Sequence, residues 1–514
     1  MRTRMKILGA IALANATAAP AAWHKASSKH FVIYSNERPE KLRAYSEKLE
    51  KFDQAVRHAR HMQDYTVGDG NRLTIFVTNT VMAVQRLAYD RSGTVAGFYE
   101  GRATGPIAFV PRTAGGTGLT PDVVFFHEYA HHLMLQELDR PYPEWLIEGF
   151  AEFMSTVTFE KDGRVALGRA AQHRAAGLLL TEGLPLETLL AGNYNRIDEE
   201  QRESVYGKGW LLTHYLAFDQ TRAGQLDKYL TVMSQGVPPL AAARAAFGDL
   251  KQLDRDLDKY LKRRTLLALL LGANNFTKPV IEVQPLSRGA AEVLPLRMES
   301  KRGVDEKTAE PLAVKIRRVQ ASFPGDPLVE VTLAEAELDA VHPEASEAAA
   351  DRALAADPRN IEAMIYKGRA IVARAVQSKD HDAKRFTDAR EWFMRANKSD
   401  TEDPEPLMEF YKSYLDEGVP PTKNAIAALH YASNLAPQDA GLRLNSAIRY
   451  LYDRDLQKAR QTLEPIAYDP HGQALATLAR SVIARLAVGD AAGAEKIAQS
   501  GPGDTSKEAG DGSK

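Results

Sequence analysis

The spacing of apolar residues changes character along this chain. Near the N-terminus, Phe31-Val32-Ile33-Tyr34 and Leu73-Thr74-Ile75-Phe76-Val77 are short apolar runs between polar stretches, and predict strands. Between them Leu42, Tyr45, Leu49, Phe52 and Val56 recur every three or four residues, which predicts a helix over 39–61. His58 and His61 lie on that helix among arginines and read as a solvated face. After a short helix ending at Leu87, Gly97-Phe98-Tyr99 and Ile107-Ala108-Phe109-Val110 bracket a glycine-containing turn, a hairpin that Pro111 terminates. Thr120-Pro121-Asp122 suits a helix start: a capping hydroxyl, a proline at the first position, and an acid at the positive end of the dipole. A second helix follows Pro143, and Thr158 to Gly168 reads as a hairpin around Asp162-Gly163. Helices then run to about Leu261. Thr265 to Leu271 is apolar but far shorter than a bilayer span, so it predicts core. Lys278 to Arg302 reads as extended, a linker or small β element filling 263–303.

From Ala309 to Ile497 the period is helical and the pattern repeats. Turn signals recur at Phe323-Pro324-Gly325-Asp326, Asp357-Pro358-Arg359-Asn360, Glu402-Asp403-Pro404, Ala436-Pro437-Gln438-Asp439 and Asp469-Pro470-His471-Gly472. Their Asp/Asn anchors are about 34, 43 and 36 residues apart, with Gly472 about 33 further on, which matches the tetratricopeptide period. An insertion around Gln377 to Lys384 absorbs the long interval. Such units bury their apolar faces against neighbours and leave a concave surface for a peptide or protein partner. Residues 304–498 are therefore expected to form tetratricopeptide-like helical repeats, with a disordered Gly/Ser/charged tail over 499–514.

Composition narrows the chemistry. With 514 residues there is room for two to four domains, and a net charge of −1 with mixed signs makes no case for nucleic acid or an anionic membrane. There are no cysteines, so a metal would be held by His, Asp or Glu. Arg2, Arg4 and Lys6 precede the apolar Ile7 to Ala14, and Ala16-Thr17-Ala18 fits a small-x-small cleavage pattern. Residues 1–22 are expected to be an export signal, giving a periplasmic or secreted protein without a membrane span in the mature chain.

Candidate chemistry concentrates in Phe126 to Phe153. His127-Glu128-Tyr129-Ala130-His131 places two imidazoles on one helix face, one turn apart, spaced to share a metal ion. Glu128 sits about 100° round the helix, close enough to take a proton from a water activated there. A catalytic zinc needs a third protein ligand and an open position. Trp145-Leu146-Ile147-Glu148-Gly149-Phe150-Ala151-Glu152 offers Glu148 for that ligand, with Glu152 one turn later.

HEYAH followed by WLIEGFAEF resembles the gluzincin metallopeptidases, above all the aminopeptidase-like branch and its smaller bacterial peptidase MA-like relatives, over roughly residues 30–262. The resemblance implies an α+β zinc peptidase domain over 29–262, ahead of the all-α solenoid. It implies one zinc ion per chain on His127, His131 and Glu148, with Glu128 as general base. Glu152 could then orient a ligand histidine from behind. Val205-Tyr206-Gly207-Lys208-Gly209 is similar to the same branch, which implies that Tyr206 donates to the oxyanion. In gluzincin-like folds the strand before the motif helix is a sheet edge lining the cleft. Ile107, Ala108, Phe109 and Val110 are therefore expected to position substrate by edge pairing. Gly101-Arg102-Ala103-Thr104-Gly105 stands where aminopeptidases carry their amino-terminus motif, and the connection from His131 to Glu148 is slightly short. The first departure argues for an endopeptidase.

Two other readings stay open on the sequence alone. One is an inactive peptidase-like scaffold that binds partners through its repeats; the other is a metal-dependent hydrolase of a non-peptide or cell-wall amide.

Overall fold

A computed structural model of the chain describes residues 22–90, 95, 97–113, 120–136, 141–192, 194, 197–379, 382–469 and 472–501. The expected export signal, the connection at 139–140, the insertion at 380–381, Pro470-His471 and the tail beyond 501 lie outside the described residues.

The chain is mixed α+β and mostly helical. Its main sheet has six strands: β1 (His24–Ser27), β2 (Phe31–Ser35), β3 (Leu73–Thr78), β4 (Phe98–Glu100), β5 (Ile107–Pro111) and β6 (Glu282–Pro285), in the order β4-β5-β3-β2-β1-β6. β2, β3 and β5 run parallel and the outer pairings are antiparallel. Both faces of the central strands are buried, which explains why they read as continuous apolar runs rather than alternating ones. One face packs on α1 (Pro39–Arg60) and α3 (Pro121–Gln136) through Phe31, Ile33, Ile75, Phe52, Phe125 and Tyr129. A short α2 (Val81–Leu87) lies between those helices in sequence.

The segment 263–303 differs from the expected linker. Leu269–Leu271 is a strand pairing with Val165–Leu167, which in turn pairs with Thr158–Phe159 in a small second sheet. Only Leu271 of that strand is buried, so Thr265 to Leu271 is not the expected core. Glu282–Pro285 returns as β6, pairing with β1. Arg288–Lys301 is a helix, not extended chain: Ser287 caps it through the Ala290 N–H, and Leu294 and Met298 cover the back of the main sheet against Val32, Tyr34, Phe76 and Phe109. Pro295 inside the helix and the β-favouring Val293 disguise that helical spacing.

The helices that complete the first unit are α4 (Glu144–Ser155), α5 (Ala175–Leu180), α6 (Leu186–Ala191) and α7 (Glu199–Phe218), followed by three more between Gln225 and Leu261. α4 and α7 cross at two glycines. A Cβ on Gly149 would lie 2.3 Å from the Gly209 carbonyl oxygen, and one on Gly209 would lie 2.6 Å from that of Trp145. Only glycine at both positions allows this approach, and it sets Tyr206 beside the helix that carries Glu148.

Beyond residue 309, helices stack antiparallel on their sequence neighbours, from Ala309–Ser322 to Ala491–Ser500. The recurring anchors turn out to be N-caps of alternate helices. Asp326, Asn360, Asp403 and Asp439 each accept a backbone N–H of the following turn, and Gly472 occupies the same position without a side chain. The arrangement is that of a tetratricopeptide-like solenoid. Among the described residues no helix is long and apolar enough to cross a membrane.

Candidate metal centre

α3 begins as its sequence suggests. The Thr120 hydroxyl accepts the Val123 N–H at 3.2 Å, and Asp122 pairs with Lys48 of α1 at 2.6 Å. Phe125, Phe126 and Tyr129 anchor one side of α3 in the core, which turns His127 and His131 toward α4. The imidazole Nε2 atoms of His127 and His131 are 3.1 Å apart, and they lie 3.3 and 3.5 Å from Glu148 Oε2. Zinc bonds of about 2.0–2.2 Å subtend tetrahedral edges of roughly 3.3–3.6 Å. Both imidazole–carboxylate separations are such edges, the imidazole–imidazole one is slightly shorter, and two imidazoles with one carboxylate are a donor set suited to zinc. Glu148 is only 1 % exposed, so its carboxylate is already withdrawn from bulk water.

Glu152, also 1 % exposed, stands one turn behind Glu148 and faces His127 Nδ1 at 3.4 Å. It further receives His173 Nε2 at 2.6 Å and Arg174 Nη2 at 2.6 Å. Burial opposes its ionisation, but the bonds from His127 and His173 and the Arg174 charge win, holding it well below the usual carboxylate range. Burial likewise opposes a charged His127. Hydrogen bonds to Glu148 and Glu152 outweigh it and lift the imidazole to about 10. The Glu128 side chain is half-buried on the same helix.

Tyr206 lies with its ring 6.1 Å from that of His127, and the Arg174 guanidinium stacks over it at 4.7 Å. Burial, and then the nearby Glu148 charge, raise its phenol above the ordinary value despite Arg174, so the hydroxyl stays protonated and able to donate. Arg174 thereby touches both Glu152 and Tyr206. Neither His173 nor Arg174 is marked by any spacing in the sequence, because they come from a turn some twenty residues past α4.

The strand Ile107 to Val110 is not the expected edge. β5 lies between β4 and β3, and all four residues are buried, so among the described residues the edge strand on this side of the sheet is β4. His58 and His61 are exposed, and His214 is a buried packing residue bonded to Tyr260 Oη and the Gly168 carbonyl. A second cluster went unread in the sequence: His30 bonds Glu50 and Asp64, while Asp53 accepts Arg57 Nε and the Tyr129 hydroxyl. Its donors are consumed by one another, which makes it an ion-pair network under α3.

No protein-family model matches the chain. No curated protein matches it. Nine chains of solved structures match; one, titled "Functional Characterization of Pseudomonas Aeruginosa pilF", is 18 % identical with a TM-score of 0.33, covering 44 % of this chain and 96 % of its own. Nothing about this chain's activity follows from so low a score.

Proposed function

We propose that the protein is an exported zinc-dependent peptidase, an endopeptidase that hydrolyses peptide bonds with a water molecule as nucleophile. The observation that carries this reading is the convergence of His127, His131 and Glu148 ligand atoms at 3.1–3.5 Å from one another, with Glu128 on the adjoining face of the same helix. These three side chains would hold one zinc ion, which when bound polarises a carbonyl and lowers the pKa of water. Glu128 would take the proton of the attacking water and deliver it to the departing amine. Glu152 fixes the His127 ring by engaging Nδ1, leaving Nε2 to point at Glu148. Tyr206, kept protonated, would donate a hydrogen bond to the oxyanion as it forms. The repeats would serve substrate or partner recognition.

The test compares zinc-loaded wild type with Glu128→Gln on a mixed peptide library read by mass spectrometry. Cleavage by wild type alone, with zinc retained by both, is the expected result. Equal cleavage by both would remove Glu128 as the base. An intact library with zinc bound in both would favour the scaffold or, if a peptidoglycan digest is degraded, a cell-wall amide hydrolase.

A further inference from the structure

The repeats approach the first unit along the ridge formed by their N-caps. Asp439 is divided between two tasks: one carboxylate oxygen caps its own helix through the Leu442 N–H, and the other accepts the Ala103 N–H at 2.8 Å. Ala103 is fully buried in a cluster with Leu429, Ala432, Ala436 and Leu442, all of them repeat residues. A second loop is gripped at this turn and at the one before it. The Asp69 N–H donates to Asp400 at 2.6 Å, and Asn71 donates to the Leu435 carbonyl at 2.7 Å and accepts from Gln438 at 3.2 Å.

The loop that carries Ala103 joins β4 to β5, so this grip acts on the edge strand. β4 crosses α3 along one stripe of that helix. A Cβ on Gly97 would meet Val124 at 2.8 Å, and Tyr99 Oη shares a hydrogen bond of 2.7 Å with His132 Nδ1. Val124 and His132 lie one turn before and one turn after Glu128 on the same face. Strand β4 therefore runs over Glu128 itself, and among the described residues its outer edge has no strand partner. Three residues of strand with one neighbour would fray if left alone.

We infer that the repeat solenoid works in cis as the clamp that holds β4 over Glu128, so that its free edge can pair with an extended peptide substrate. Ala103 and Asp439 are then positioning residues for substrate, and Tyr99 and His132 transmit the placement to the helix that bears the base. The inference deepens the peptidase reading and rests on it for the nature of the substrate. It also assigns part of the repeat surface to the enzyme's own domain rather than to a separate partner.

The experiment uses the full chain loaded with zinc. Ala103→Leu drives a larger side chain into the cluster from the loop side, and Ala432→Leu does so from the repeat side, remote from β4. Hydrogen–deuterium exchange over 98–105 should quicken at least about tenfold in either variant, because the strand loses its anchor. Zinc affinity should stay within about twofold of wild type. On a peptide long enough to lie along the strand, KM should rise on the order of tenfold while kcat holds within about twofold, as expected for lost backbone hydrogen bonds remote from the bond being broken. Unchanged exchange in both variants would overturn the clamp. Faster exchange with an unchanged KM would overturn its role in positioning, and a joint loss of zinc and kcat would reduce it to a general structural contact. If wild type cleaves no peptide, the peptidase reading falls with the substrate half of the inference, and exchange alone decides whether the repeats hold the strand.

Discussion

Replacing Gly149 by alanine sets two physical effects against each other. Helix propensity alone favours alanine by about 1 kcal/mol, since glycine in a helix interior loses more backbone freedom on folding. The crossing with α7 opposes it. The new Cβ would lie 2.3 Å from the Gly209 carbonyl oxygen, 2.4 Å from its carbon and 2.6 Å from Thr213 Oγ1. Two of those atoms are backbone and cannot rotate away, so α7 must retreat by roughly 1 Å to restore contact distances, and overpacking of that kind costs about 1–3 kcal/mol on top of the propensity gain it cancels. The expected net result is a destabilisation of about 1–3 kcal/mol. Trp145 and Trp210, 0 % and 1 % exposed, sit at this crossing, so urea unfolding is followed by fluorescence with Trp23 and Trp392 replaced by Phe in both chains. The midpoint should fall at an unchanged slope. Gly177 supplies the control: it lies in α5 with nothing within 4 Å of an added Cβ, and Gly177→Ala should stabilise by about 0.5–1 kcal/mol. A Gly149→Ala chain as stable as wild type, or more so, would refute the close crossing.

Other expectations concern the site and its support. Glu152→Gln should weaken zinc binding about 10- to 100-fold in chelator competition, through the freed His127 ring; an unchanged affinity would deny Glu152 that orienting role. Tyr206→Phe should lower kcat by about 10²- to 10³-fold with zinc content unchanged, and wild-type turnover by this variant would place the oxyanion donor elsewhere. The His30 network predicts a pH signature. Burial works against a charged His30, but the Glu50 hydrogen bond and the Asp53 and Glu50 charges raise its pKa above 6.5, so its stabilisation is full below that value and is lost as pH rises through the raised one. Burial also opposes ionised Glu50 and Asp64, yet His30 and, for Asp64, Lys29 depress both; their share is present above the ordinary 4.5 and 3.8 and lost as pH falls. The Tm gap between wild type and His30→Gln should therefore be widest near pH 5–6 and narrow on either side, and a flat gap would contradict the network.

What the sequence made legible follows from how local each signal is. His127 and His131 share a helix face by arithmetic alone, and Glu148 lies in a second pattern with its own helical period. The repeat anchors were legible because N-cap chemistry repeats with the structural unit: Asp326, Asn360, Asp403 and Asp439 stand at the same structural position. The β5 edge was misjudged because strand order is set by partners far away in the chain: the hairpin of β4 and β5 was legible, but nothing local shows which of its arms also pairs with Thr74 to Thr78. Gly149 and Gly209 gave no local hint of each other, since a crossing of two helices is written in neither. Val293 and Pro295 obscured a helix whose apolar face becomes evident only when the back of the sheet needs covering. His173 and Arg174 reach Glu152 from a turn with no periodicity at all.

The pairing of β1 with β6 joins His24 to Pro285, the two ends of the first unit. On a ribosome, or emerging from a translocation pore, the N-terminal strand must wait for nearly the whole of that unit before its outer neighbour exists. Closing so long a loop costs only slightly more entropy than closing one half its length, so the finished sheet need not be weaker for it. The delay is kinetic: contacts of such sequence separation form late, and β1 offers an unpaired edge to other chains in the interval. A chain cut after Leu261 would keep that edge exposed permanently and would also strip Leu294 and Met298 from the back of the sheet. The strands and helix that complete the main sheet therefore run to about residue 302, where the motif-bearing region alone would have suggested stopping forty residues earlier.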